Sequence, residues 1–266
     1  MAVAGRESAP LDGDGVLTSP RPDFTYSLAV HNSAAHLEVN VRAVAERLRV
    51  FESAEIVLVE NGSTDRSLDI ARNLAAELTR PGLQVRVDSV EKGLGHAHRR
   101  GLALAGGRHV LVMGVDIPFG FSDLDQWLEM QPRPVLVLGS KSHPASRSAT
   151  GTGRRLTSLA FRAARSALLG IGAADTQGSI IIDGDLAHRV EPQLRCTDYL
   201  VTTEIVAWAM HFGAVALEIP VDYPDAGRST VSPIGDGMRM LRGMVALRRR
   251  LRHTAGALPV PAALEI

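Results

Sequence analysis

The chain has 266 residues, 45% of them hydrophobic, with 29 basic side chains against 29 acidic ones. That size suits one large domain with appendages, and a formal charge of zero gives no general pull towards nucleic acid. A single cysteine, Cys196, excludes an internal disulfide and a thiolate metal cluster, and it fits a reducing compartment.

Residues 1–23 are rich in small residues, Pro and Asp and lack an apolar core, so a disordered tail is expected rather than a signal peptide. Phe24–Val30 is expected as a first strand. Leu37, Val41, Val44 and Leu48 give Ala34–Leu48 helical spacing. Ala54–Val59 has the length and β-branched content of a buried strand. Gly62 permits a sharp exit from it, and Ser63, Thr64 or Asp65 can cap a helix over Leu68–Leu78. Pro81 and Gly82 mark a turn before Leu83–Val90, which alternates as a third strand. A helix with a glycine-rich start follows over Lys92–Ala105, then strands at His109–Met113 and Val135–Leu138. This succession predicts an α/β fold with a doubly wound, mostly parallel sheet.

The second half is less regular. Arg154–Leu169 reads as a basic amphipathic helix, Ser179–Ile182 as a short β-branched run, Tyr199–Phe212 as a helix and Ala214–Val221 as a strand. A cationic helix over Met238–Arg252 closes a single domain, residues 24–252, with a C-terminal helical elaboration, and 253–266 read as a tail. Arg239, Arg242, Arg248, Arg249, Arg250 and Arg252 form either a solvated helix face or a patch for phosphate or an anionic membrane surface. No apolar run approaches the roughly 20 residues that span a bilayer. The expected location is therefore cytoplasmic, or peripheral at the inner membrane face. Trp127 and Trp208, at helical spacing among apolar neighbours, read as core or interface, and Cys196 as a packed thiol.

Glu60 and Asn61 stand where the second strand ends, and open α/β sheets bind ligands at such ends. One carboxylate and one amide can accept from and donate to a planar nucleobase edge, or simply form a strand-to-helix turn.

Several segments in this order resemble the family 2 glycosyltransferases of the GT-A fold, and within them the polyprenyl-phosphate hexosyltransferases, the dolichyl-phosphate mannose and glucose synthases. They are S-L-A-V-H-N-S at 27–33, V-E-N-G-S-T-D at 59–65, K-G-L-G-H-A at 92–97 and V-L-V-M-G-V-D at 110–116. G-S-K-S-H-P at 139–144, A-D-T-Q-G-S at 174–179 and L-E-I-P-V-D-Y at 217–223 complete the set.

The resemblance implies transfer of a hexose from a nucleoside diphosphate sugar to a polyprenyl phosphate with inversion. A soluble small-molecule acceptor, or a catalytically degenerate nucleotide-sugar binding protein, are the alternatives. The leaving diphosphate calls for Mg²⁺ or Mn²⁺. Asp116 is the implied metal ligand, or else a turn residue, because Gly114 stands where the family carries its first Asp. The implied nucleotide pocket comprises Ala29, His31, Ser33, Glu60 and Asn61, with Lys92, Gly93 and Gly95 in the glycine-rich segment. His31 replaces the family's Tyr, Ser33 its Glu, and Glu60-Asn61 its Asp-Asp, so the base is left open. Asp175 is the implied catalytic residue beside the acceptor, positioning it or acting as a base, or else a structural cap. Lys141, in place of Arg, and Arg228 are implied phosphate contacts. His143 and Glu204 occupy family positions and read equally well as structural. Homo-oligomerisation is left open, and no nucleic-acid partner is expected.

Overall fold

The computed structural model describes residues 21–148, 152–223 and 235–254. The first part alternates strand and helix: β1 (Phe24–Val30), α1 (Leu37–Arg47), β2 (Ala54–Asn61), α2 (Ser67–Leu78), β3 (Leu83–Val90), α3 (Leu94–Leu104) and β4 (His109–Gly114). Then come α4 (Ser122–Glu129), β5 (Leu136–Ser140), β6 (Arg147–Ser148), α5 (Thr152–Leu169), β7 (Ile180–Asp183) and α6 (Gly184–Val190). The chain continues through α7 (Val201–His211), β8 (Leu217–Pro220), β9 (Asp222–Tyr223) and α8 (Gly235–His253). The expected tails lie almost wholly outside the described residues, as does Arg228.

The main sheet has seven strands in the order β3-β2-β1-β4-β7-β5-β8. β3, β2, β1 and β4 are mutually parallel. β7 runs antiparallel between β4 and β5, and β8 is parallel to β5. β6 and β9 form a separate two-stranded parallel ladder.

Alternation along the strands divides the core between two faces. Phe24, Tyr26, Leu28, Leu111 and Met113 pack with Leu37, Val41, Leu74 and Trp127 on one side. Val110, Val112, Leu136, Leu138, Ile180 and Ile182 pack with Val201, Ile205 and Trp208 on the other. Both faces are covered, as a parallel sheet requires. Trp127 and Trp208 are core residues, 0% and 1% exposed. Burial pushes the Cys196 thiol well above its ordinary range, which leaves it unreactive.

The elements depart from expectation in several places, the two-residue strands β6 and β9 among them. Helices α4 and α6 were not foreseen, being only eight and seven residues long. The expected strand over Ala214–Val221 contracts to Leu217–Pro220. Asp65 does not cap α2 from the N-cap position, which Arg66 occupies; its Oδ1 instead accepts from the Ser67 amide at 3.0 Å and the Ser67 hydroxyl at 2.5 Å. Among the described residues no helix is long and apolar enough to cross a membrane.

Candidate active site

The chain leaves β1 on one side towards β2 and β3 and reaches β4 on the other. The crevice beyond the carboxyl ends of β1 and β4 is therefore the topological switch point, where open α/β sheets take their ligands. His31 follows β1, and Asp116 stands two residues past β4, exposed. Both ends carry non-glycine residues in the left-handed region, Asn32 at φ 47° and Ile117 at φ 36°. That conformation is strained for a β-branched side chain. The flanking hydrogen bonds impose it: Val115 N–H donates to the buried Ala29 carbonyl at 3.0 Å and Ile117 N–H to Gly114 at 3.2 Å. Asn40 donates to the Val115 carbonyl at 2.8 Å. Strain is thus held beside the carboxylate predicted to carry the chemistry.

The end of β2 is tied to the same crevice. Glu60 is 4% exposed; its carboxylate accepts from the Ser63 amide and from the Ser89 hydroxyl at 2.7 Å. Burial opposes its ionisation, but these hydrogen bonds and the nearby His31 outweigh it and hold Glu60 below the usual carboxylate range. Asn61 faces its own chain: Nδ2 donates to the Val30 carbonyl at 2.9 Å, and Oδ1 accepts from Gly93 N–H at 3.4 Å. His31 Nδ1 lies 2.9 Å from the Asn61 carbonyl oxygen. Ser33 is 5% exposed, donates from its hydroxyl to the His31 carbonyl at 3.0 Å and accepts at its own carbonyl from the His36 and Leu37 amides. Asn61 and Ser33 therefore shape the crevice through its loops.

The glycine-rich segment is packed against another part of the chain. Gly93 and Gly95 do bring the backbone close to something, but the partner is the chain itself. A Cβ on Gly93 would meet the Thr197 carbonyl oxygen at 2.6 Å, and one on Gly95 the Cys196 carbonyl oxygen at 1.9 Å. Gly95 N–H donates to Thr197 at 3.0 Å. Glu204, 0% exposed, fixes that segment by accepting from the Arg195 and Cys196 amides and from Arg250. Its role is structural. Lys92 is exposed and has no partner among the described residues.

Across β4, β7 and β5 the other candidates reach the same edge. Val112 and Leu138 both pair with Ile180 of antiparallel β7. The loop before β7, carrying Asp175, therefore lies between the ends of β4 and β5. Lys141 follows β5, its ammonium 5.4 Å from the Tyr223 ring centroid. His143 Nδ1 accepts from the Ala145 amide at 3.2 Å within its own turn. Glu218 accepts from the Ala174 amide at 2.7 Å and the Asp175 amide at 3.0 Å. Arg165, 1% exposed, donates to Thr176 Oγ1 at 3.0 Å and to the Ala173 carbonyl. Burial weakens the Arg165 guanidinium's hold on its proton, and the charges of Asp175 and Glu218 offset that only in part. Arg165 and Glu218 were missed: one acid in an apolar strand is a faint signal, and an Arg on a basic helix is none.

The donor set can be tested against a divalent cation. Among the described residues no three His, Cys, Asp or Glu side chains are grouped to hold one. Hard cations take oxygen ligands, and Mg²⁺ commonly keeps waters and substrate phosphates beside one or two carboxylates. Asp116 fits as the protein's ligand to a cation carried by a diphosphate.

Residues 28–133 match the model for glycosyl transferase family 2. Over 210 residues the chain is 22% identical to a dolichyl-phosphate beta-glucosyltransferase of Dictyostelium discoideum, covering 74% of this chain and 63% of that protein's length. Among solved structures it is similar to glucosyl-3-phosphoglycerate synthase of Mycobacterium tuberculosis. The complex of that protein with Mn²⁺, UDP-glucose and phosphoglyceric acid superposes with a TM-score of 0.62 at 17% identity, covering 85% of this chain and 79% of the other. Its complex with phosphoglyceric acid alone gives 0.61 at 18% identity over 85% and 80%. These structural likenesses establish the GT-A fold.

Proposed function

We infer that this chain, a glycosyl transferase family 2 member through residues 28–133, moves a hexose from a nucleoside diphosphate sugar to an acceptor oxygen. The observation that carries the reading is the switch-point crevice, with Asp116 beside a strained turn and Glu60 held ionised at the neighbouring strand end. Mg²⁺ or Mn²⁺, when bound at Asp116, supplies positive charge for the leaving diphosphate. The matched region contains His31, Glu60, Asn61, Lys92 and Asp116, so the donor half has more support than the acceptor half.

Transfer forms a bond from the acceptor oxygen to the anomeric carbon and breaks the bond to the diphosphate, which leaves with the electron pair. Attack from the opposite face gives inversion. Lys92 supplies an unpaired charge at the glycine-rich end of the crevice. The loop of Asp175, clamped by Arg165 and Glu218, positions the acceptor. A phosphate acceptor brings no proton to remove, whereas a hydroxyl acceptor gives its proton to Asp175.

The acceptor we favour is a polyprenyl phosphate, supported by the Dictyostelium relative and by the basic α8. A soluble phosphorylated acceptor is the second reading, supported by the mycobacterial complexes with phosphoglyceric acid. The test is a panel of nucleotide sugars assayed for turnover and for protection against thermal unfolding, with and without Mg²⁺ or Mn²⁺. A donor that binds only the native state raises the unfolding temperature. If no nucleotide sugar protects the protein, the reading fails.

A further inference from the structure

A second cluster of charge lies at the ends of α7 and α8. There a cavity of about 260 Å³ is lined by Arg195, Arg249, Arg250, His253, Gln193 and Trp208, among others, and no carboxylate is among its lining residues. Pockets for drug-sized ligands begin near 300 Å³, so the occupant is small.

The cations there differ in what they already do. Arg250 donates to the Gln193 carbonyl at 2.9 Å and to Glu204. Arg195 donates from Nη1 to the Pro192 and Leu194 carbonyls, each at 2.8 Å. Arg249 and His253, both exposed, have no partner among the described residues. Trp208 is 1% exposed, and its indole N–H, buried, has no acceptor. Basic residues in the last turn of α8 are expected from the helix dipole alone. The dipole does not account for Arg195, which converges from a different segment.

We propose that this cavity is a second anion site, separate from the sugar-nucleotide crevice, that takes a phosphate group as free phosphate, a small phosphate ester or a lipid headgroup. Guanidinium forks match phosphate oxygens in pairs. An anion here would answer the unpaired Arg249 and the charge of Arg195, whose guanidinium meets only backbone carbonyls, while Arg250 is already paired with Glu204. Arg250 belongs both to the cavity and to the Glu204 network that fixes the segment facing Gly93 and Gly95. The proposal does not depend on the glycosyltransferase reading.

The test titrates inorganic phosphate into the full chain at constant ionic strength, with chloride as control, following heat and unfolding temperature. Because phosphate could also enter the donor crevice, Arg249→Gln is compared with Lys92→Gln. The expected result is saturable binding that raises the unfolding temperature, weakens at least tenfold in Arg249→Gln and persists in Lys92→Gln. A second arm uses vesicles containing phosphatidate. Pelleting that Arg249→Gln weakens at least tenfold, with no response to free phosphate, identifies a headgroup as the source of the same chemistry. A response that survives Arg249→Gln, or none beyond chloride in either arm, overturns the site.

Discussion

The carboxylate of Asp116 folds back over Gly114: a Cβ at position 114 would stand 2.6 Å from its Oδ1. Glycine at position 114 leaves room for that carboxylate.

Asp116→Asn keeps the shape and removes the charge. Losing transition-state charge stabilisation costs on the order of 2.7–4 kcal/mol, a fall of roughly a hundredfold to a thousandfold in turnover. Metal-dependent turnover is the readout, with circular dichroism to verify the fold. A variant as fast as the parent removes Asp116 from the metal site.

Glu60 ties Ser63 and Ser89 to the end of β2 and stays ionised there. Glu60→Ala leaves both donors without their acceptor and is expected to weaken nucleoside diphosphate binding by about 1–3 kcal/mol. Calorimetry on the folded variant gives the number; unchanged affinity would separate Glu60 from the donor site.

Much of this arrangement was legible in the sequence, and the reasons are local. β1 and β3 match their expected bounds because Phe24–Val30 and Leu83–Val90 are hydrophobic or alternating runs cut off by clear turn residues. Glu60 and Asn61 were read at a strand end because Gly62 follows them. What stayed hidden depends on long-range contact. Nothing near Gly95 in sequence announces the Cys196 carbonyl oxygen that requires it to be glycine. Arg165 looks like any basic helical residue until Thr176 and Ala173 fold over it. Asn61 reads as a base-facing amide, and only the fold engages it with Val30 and Gly93.

Asp123 predicts a pH dependence. It is 0% exposed, its Oδ2 has no partner, and burial raises its pKa from 3.8 to about 6. A carboxyl raised in the folded state binds more protons there than in the unfolded chain between those values. Its contribution to stability is therefore complete below pH 3.8 and lost as pH rises through about 6. The interval corresponds to roughly 3 kcal/mol. Asp123→Asn mimics the protonated form, so it should stabilise the protein at pH 8 and flatten the slope between pH 4 and 6. Urea unfolding across pH is the measurement, and a parallel slope in both proteins would contradict the assignment.

The two acceptor readings part at α8. Arg248 donates to the Ala167 carbonyl at 2.9 Å, and Arg250 to Gln193 and Glu204, so both hold the helix to the body of the protein. Arg242 and Arg252 are exposed and unpartnered among the described residues, on the same helix as Met238 and Leu241, 54% and 39% exposed. An apolar stripe flanked by arginines suits an anionic membrane surface. Each basic residue there contributes about 1 kcal/mol, screened by salt. The parent should pellet with anionic vesicles at low salt and release as salt rises. Replacing Arg242 and Arg252 with Gln should weaken that binding by about 2 kcal/mol, roughly thirtyfold. Nucleotide binding should not change, because neither residue touches the crevice network. A soluble acceptor predicts a parent that stays in the supernatant at low salt, and that result would leave the lipid acceptor without support while the donor reading stands.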